Sequence, residues 1–220
     1  MSNPFLSKFN TPFNTIPFDK ITVEHYLPAF EEGIKQGLTE IDAIVNNTET
    51  PTFANTIEAL EKVGPLLEIV GATFSNLNLA ETSKEMQALA KVISPKLSDY
   101  SNDIVLNDAL FKRVDMVYAI KNTLTLTPEQ STLLDKTYKS FVRNGSKLNA
   151  EQKEKLRTID KEKSQLSLTY SENVLAESNA FELVITNASD LAGLPEGTIE
   201  AAKITAKEKV KENAWVFTLD

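Results

Sequence analysis

Apolar residues recur at steps of three and four along most of the chain, and this spacing is typical of helices that bury one face. Six such runs follow one another between residues 23 and 174. Their apolar positions are Val23, Tyr26, Leu27, Phe30, Ile34, Leu38, Ile41 and Val45; Phe53, Ile57, Leu60, Val63, Leu67, Val70, Phe74 and Leu77; Met86, Leu89, Ile93, Leu97 and Tyr100; Leu106, Leu110, Phe111, Val114, Val117 and Tyr118; Leu134, Tyr138, Phe141 and Val142; and Leu156, Ile159, Leu166, Tyr170 and Val174. The pattern predicts a mainly α fold, a multi-helix bundle of long antiparallel helices.

Several helix boundaries carry local signals of their own. Thr127 followed by Pro128 and Gln130 is the pattern of a capping box, because the first and fourth side chains can satisfy each other's free backbone N–H groups. The other boundary signals are Thr22 as a cap, Gly145 as a stop, and Asn149 with Gln152 as a second capping box.

Two prolines fall inside the helical runs. We expect Pro28 to kink the first helix or to end its first turn, since proline has no N–H for the helical ladder. The apolar phase of the second run continues across Gly64 and Pro65, which predicts one long bent helix rather than two.

The first twenty residues differ from the rest of the chain. They contain Pro4, Pro12 and Pro17, and proline at this density disfavours a helix. The interleaved aromatic residues are Phe5, Phe9, Phe13 and Phe18. We interpret residues 1–20 as an extended arm whose aromatic side chains hold it on the rest of the protein; an arm that binds peptides is the alternative.

Near the end of the chain the period changes from helical to alternating. Residues 181–186 and 214–219 predict two short strands that pair as a ribbon, separated by a turn at 191–195 and a helix over 196–210. The sequence contains no low-complexity linker that would divide the chain, so residues 21–220 are predicted to form one helical domain. A chain that stops directly after a strand also leads us to expect a longer parent protein.

Composition narrows the classes of partner. The chain has 23 lysines and arginines against 31 aspartates and glutamates, a formal charge of −8, so we expect no nucleic-acid partner. No run of about 18 apolar residues would span a membrane, so we expect no membrane partner either. Without a visible export signal the expected location is the cytoplasm, or the periplasm if a signal peptide has been removed.

The residues that carry most enzyme chemistry are missing. The chain has no cysteine and one histidine, His25, which excludes thiol catalysis, thiolate metal sites and the two-histidine H-E-x-x-H zinc site. Glycine-rich nucleotide-binding loops are also absent from the sequence. We therefore predict no catalytic residue, no metal ligand and no cofactor within this chain, and the sequence leaves its substrate-binding residues unknown.

A few single residues could still act in a site. We interpret His25, beside Glu24, as a helix-start or packing residue rather than a proton relay or metal ligand. Asp99, Asp103, Glu58, Glu61 and Glu68 are interpreted as solvated carboxylates rather than a catalytic pair. Arg143 is expected to tie a helix end to a carboxylate, with a place facing a substrate channel as the alternative, and Trp215 is expected to pack the ribbon against the helices.

Short segments along nearly the whole chain resemble the bacterial peptidyl-dipeptidases of the thimet oligopeptidase family of zinc metallopeptidases. These segments are residues 3–5 (NPF), 17–21 (PFDKI), 25–30 (HYLPAF), 33–34 (GI), 51–61 (PTFANTIEALE), 94–98 (SPKLS), 106–114 (LNDALFKRV), 141–145 (FVRNG) and 191–195 (LAGLP). The segments at 51–61 and 106–114 resemble peptidyl-dipeptidases more than oligopeptidase A.

The resemblance implies that this chain is the amino-terminal helical domain of a parent that releases dipeptides from the carboxyl ends of short peptides. It further implies zinc in the parent, and a carboxy-terminal catalytic domain of the same polypeptide as partner, with this domain forming one wall of the substrate channel. The family's H-E-x-x-H motif matches no position here, so the chain alone is predicted inactive. The alternatives are a stand-alone helical interaction module, or the same domain of an oligopeptidase A-like endopeptidase.

Overall fold

The computed structural model describes residues 3–211 and 213–219, and the fold is mainly α with one two-stranded antiparallel ribbon near the end of the chain, as the sequence predicts. The α-helices are α1 (Val23–Val45), α2 (Ala59–Glu61), α3 (Pro65–Ala80), α4 (Lys84–Val105), α5 (Asp108–Ala119), α6 (Pro128–Arg143), α7 (Ala150–Ala180) and α8 (Glu196–Glu208). The strands are β1 (Leu183–Ile185) and β2 (Trp215–Phe217). A π-helical turn, Phe53–Glu58, leads into α2, and short 3₁₀ helices cover Pro4–Leu6, Pro12–Asn14, Phe18–Lys20, Lys121–Thr123 and Ala188–Leu191.

The helix boundaries follow the capping signals closely. Thr127 Oγ1 accepts a hydrogen bond from Gln130 N at 3.3 Å, and Gln130 Oε1 accepts one from Thr127 N at 3.0 Å. The same reciprocal pair joins Asn149 and Gln152 at the start of α7. Gly145 has φ +99, the left-handed conformation that lets the chain leave α6. These local predictions are confirmed.

The prediction of one bent helix across Gly64 and Pro65 is wrong. Gly64 adopts φ +77, α3 begins at Pro65, and the Gly64 N–H donates to Glu40 Oε2 at 2.7 Å. Proline fits the first position of a new helix because the N–H it lacks would have no helical partner there. Pro28 behaves differently, since α1 continues through it to Val45.

The chain divides into two compact units. The first unit ends at Gln165 and the second begins at Leu166, so that α7 contributes to both. Within the first unit, α1 packs against α3 and α4. One buried cluster joins α1, the π-helical turn, α5 and α6, and its members are Ile41, Ile44, Phe53, Ile57, Leu110, Val114, Val117, Leu134 and Phe141. The division into an arm at 1–20 and one domain at 21–220 stays a prediction.

Among the four aromatic residues of the arm, Phe5 is buried and Phe9 is partly buried. Phe5 is 4% exposed and its ring lies 5.3 Å from that of Tyr26, whereas Phe13 is 97% exposed and Phe18 is also exposed. The described part of the arm contains 3₁₀ turns and no α-helix, and two of these turns begin at Pro4 and Pro12. Attachment through an aromatic side chain therefore holds for Phe5 but not for Phe13 or Phe18.

In the second unit, Val184 pairs with Val216 at the centre of the antiparallel ribbon, within the predicted segments. Helix α8 packs on β2, and the buried residues between them are small, notably Ala202 and Ala206. Glu182, just before β1, accepts hydrogen bonds from Lys209 and Lys211. Those two ammonium groups lower the pKa of Glu182 to about 2, which fastens the end of α8 to the ribbon.

Candidate functional site

The described residues, 3–211 and 213–219, contain no group of three or more histidine or carboxylate side chains placed to hold a metal ion. Zinc therefore finds no fitting ligand set in this part of the chain, and no reaction step can be assigned to it there. Nor is any helix within the same residues long and apolar enough to cross a membrane.

His25 lies at the start of α1 and makes a cap. Its Nδ1 accepts a hydrogen bond from Thr22 N at 3.0 Å and lies 3.3 Å from Thr22 Oγ1. The neighbouring carboxyl of Glu24 has its pKa lowered, first by a hydrogen bond with the Thr22 side chain. The interpretation of His25 as a helix-start residue is confirmed, and the histidine supplies no paired catalytic group.

Three of the carboxylates weighed in the sequence make ion pairs. Glu58 pairs with Lys62 on the next helical turn, at 2.7 Å. Asp103 binds Arg157 Nη1 at 2.7 Å, and Asp99 lies 3.4 Å from Lys161 Nζ. Each of these three carboxylates thus lies against a lysine or an arginine, an arrangement that differs from the two adjacent carboxylates of a proton-sharing pair.

Arg113 is buried in the first unit, whereas Arg143 is not. Arg143 is exposed and makes no ion pair with a described carboxylate, so the expected tie at the end of α6 is not formed. Arg113, on α5, is 7% exposed; Nη1 donates to the carbonyls of Asn47 at 2.7 Å and Glu49 at 3.4 Å, and Nη2 donates to Asn55 Oδ1 at 3.2 Å. It fastens α5 to the loop after α1.

Three of the sequence segments that carry the resemblance, 51–61, 106–114 and 141–145, contact one another in space. Arg113 of segment 106–114 contacts Asn55 of segment 51–61, whose Oδ1 also caps the π-helical turn through Thr52 N. Gly145 of segment 141–145 lies so close to Leu106 that an added Cβ would come within 3.3 Å of Leu106 Cδ2. These segments therefore act as structural joints between helices, a role that the contacts explain without any catalytic group.

Lys153 makes a further joint that the sequence analysis missed. It is 7% exposed, and its Nζ donates to the Leu106 carbonyl at 3.0 Å and to the Asp108 carboxylate. The carbonyl end of α4 carries partial negative charge, so an ammonium group there is favourable. With Arg157 and Lys161, Lys153 forms a row of cations at four-residue steps that faces Asp108, Asp103 and Asp99.

The second half of α7 has a different surface. Leu166, Tyr170 and Val174, which lie on one side of the helix at four-residue steps, are 61%, 71% and 47% exposed. We call these three residues the α7 stripe. An apolar row at helical spacing is the pattern of a helix that packs on another surface, yet here it meets solvent. The α7 stripe is thus an exposed apolar surface of the kind that packs on a partner.

Curated proteins similar to this chain include bacterial peptidases. It is 38% identical to dipeptidyl carboxypeptidase of Salmonella typhimurium over 99% of the chain, and 38% identical to that of Escherichia coli over the same share. It is 29% identical to oligopeptidase A of Escherichia coli over 100% of the chain. No protein-family profile matches the chain.

In each of these alignments the chain spans about a third of the relative, 32% of its length. The alignments with the two dipeptidyl carboxypeptidases cover 99% of the chain. The chain is thus similar to bacterial dipeptidyl carboxypeptidases over about one third of their length. This confirms the resemblance that its motifs predict.

Proposed function

We propose that this chain is the amino-terminal helical part of a zinc metallopeptidase that releases dipeptides from the carboxyl ends of short peptides. The observation that carries the proposal is the 38% identity over 99% of the chain to dipeptidyl carboxypeptidases, three times as long as the matched part. The zinc ligands and the general base belong to the remaining carboxy-terminal part, since this chain has one histidine.

In the proposed parent, this part forms one wall of the substrate channel and packs on the catalytic part. The α7 stripe supports that role, because an apolar row of this exposure gains stability when it is covered. The joints made by Arg113 and Lys153 support it as well, because they fix the angles between helices without any group that reacts. By this proposal the isolated chain is inactive and its cellular location is the cytoplasm.

The second candidate is the same role in an endopeptidase like oligopeptidase A. It is favoured by the 29% identity over the whole chain, but the identity to the dipeptidyl carboxypeptidases is higher. The two parents differ in where they cut. One removes two residues from the free carboxyl end, and the other cuts within the peptide.

A single assay separates these possibilities. The 220-residue chain and a longer polypeptide that contains it would each receive an amino-blocked tetrapeptide, with zinc, and the products would be weighed by mass spectrometry. We expect the longer polypeptide to release the last two residues and to lose this activity to a chelator, while the short chain releases nothing. Metal-dependent release by the short chain would refute the proposal; cuts at other bonds by the longer polypeptide would favour the endopeptidase.

A further inference from the structure

The second unit contains a cavity of about 580 Å³ at the end of α8. Its wall is formed by Lys203, Lys207, Val210, Lys211, Asn213, Ala214 and Trp215. Three of these seven residues are lysines, in a chain whose formal charge is −8. The volume lies within the range of small-molecule pockets, about 300–1,000 Å³.

Two of the three lysines make no ion pair with a described residue. Lys203 and Lys207 are exposed, lie one turn apart on α8, and have no carboxylate within 4.0 Å among the described residues. Lys211 instead shares Glu182 with Lys209. Like charges four residues apart on a helix repel each other, and a bound anion would remove that repulsion.

The rest of the wall is apolar or offers donors. Trp215 contributes its indole, whose Nε1–H is buried and has no acceptor among the described residues. Val210 has φ +56, a left-handed conformation that is rare for a β-branched residue. Strained backbone of this kind is concentrated at binding and active sites. Together the wall presents ammonium groups on α8 next to the surfaces of Val210, Ala214 and Trp215.

We propose that this cavity binds a small organic anion made of a carboxylate joined to an apolar group. The carboxylate pairs with Lys203 and Lys207, since charge-assisted hydrogen bonds to ammonium are the strongest contacts that the wall offers. The apolar group lies on Trp215 and Val210. Inorganic phosphate would use the lysines but leave the apolar surface uncovered, so the ligand class is the amphipathic carboxylate.

Trp215 gives the test a direct signal, because it is the one tryptophan of the chain. The 220-residue chain would be titrated at low salt with N-acetyl-leucine, with N-acetyl-leucinamide, and with inorganic phosphate, while tryptophan fluorescence is followed. We expect a saturable change with N-acetyl-leucine, and binding at least about tenfold weaker for the amide and for phosphate, since each lacks one half of the recognised chemistry. Equal affinity for carboxylate and amide, tighter binding of phosphate, or no saturable change would overturn the proposal.

Variants identify the cations. Replacing Lys203→Gln together with Lys207→Gln should weaken N-acetyl-leucine binding at least about tenfold, whereas Lys112→Gln, an exposed lysine on α5, should leave it unchanged. The pair Lys203→Arg with Lys207→Arg should restore most of the affinity because it keeps both charges. Circular dichroism of each variant checks that the fold is kept. Unchanged affinity in the glutamine pair, or a loss of equal size in the arginine pair, would contradict the assignment.

Discussion

Replacing Arg113 by methionine tests whether the joint between α5 and the loop after α1 holds the first unit together. Methionine keeps most of the aliphatic packing but removes all three hydrogen bonds of the guanidinium, to Asn47, Glu49 and Asn55. A hydrogen bond from a charged donor contributes about 1.5–3 kcal/mol. The contact to Glu49, at 3.4 Å, is too long to add much, so two bonds count.

The loss is smaller than the sum of two such bonds. The freed acceptors lie in a partly exposed loop and can be rehydrated, and removal of a buried charge without a carboxylate partner among the described residues returns some stability. We expect Arg113→Met to lower the free energy of unfolding by about 2–3 kcal/mol, which corresponds to about 4–12 °C in the melting temperature of a chain of this size.

The matched control is Arg143→Met, which makes the same change at an exposed arginine without an ion pair to a described residue. It should alter the free energy of unfolding by less than about 0.5 kcal/mol. Urea unfolding followed by circular dichroism at 222 nm would measure both variants. Equal effects of the two substitutions, or an effect of Arg113→Met below about 1 kcal/mol, would refute the reasoning about this joint.

Three further predictions concern other parts of the chain. Tyr26→Phe should leave stability unchanged or raise it by up to about 1 kcal/mol, because the hydroxyl is buried without a partner among the described residues; a loss above about 1 kcal/mol in urea unfolding would show a bound partner. The pKa of Glu182 is lowered from 4.5 to about 2, so its contribution to stability is present above pH 4.5 and is lost as pH falls toward 2; Glu182→Gln should therefore destabilise the second unit at pH 7 and match the parent chain at pH 2, as followed by Trp215 fluorescence. Leu166→Glu with Tyr170→Glu should lower binding of an apolar dye by about twofold or more, whereas Leu79→Glu on α3, an isolated exposed leucine, should lower it less; equal effects would argue against the α7 stripe as a docking surface.

Local chemistry explains which parts of the fold could be predicted from the sequence. Two features, the capping boxes at Thr127 and Asn149 and the helix stop at Gly145, depend on residues within a few positions of each other. The local sequence is therefore enough to predict them. The ribbon was predictable for the same kind of reason, since alternation over a few residues is enough to indicate a strand.

The break at Gly64 could not be read from the apolar phase, which continues across it. What decides the break is a left-handed glycine, a proline at the first helical position, and a hydrogen bond to Glu40 that lies 24 residues earlier. Arg113 was missed for a related reason, because its acceptors lie 58 to 66 residues away. The signal that could have found it is the presence of Arg113 and Asn55 in two of the resembling segments.

For the candidate site, the sequence supports only an expectation about residue types that it lacks. One histidine and no cysteine mean that the given sequence contains no H-E-x-x-H motif and no thiolate ligand. Which surface serves a partner depends on how much of each apolar run is covered, and that was not predictable from the spacing of α7, where the run looks the same before and after residue 165. In the structure, ion pairs of Arg157 and Lys161 hold the first half of α7, and Leu166 and Tyr170 of the second half are 61% and 71% exposed, against 48% for Ile159 in the first.

The reading frame beyond Asp220 tests the central claim most directly, since the account requires a longer polypeptide that supplies what this chain lacks. Sequencing the transcript through this position would measure it. We predict that the frame continues for about twice the present length and contains an H-E-x-x-H motif, because the chain spans 32% of the dipeptidyl carboxypeptidases it matches. A stop codon directly after Asp220 would contradict the account and favour a stand-alone helical module.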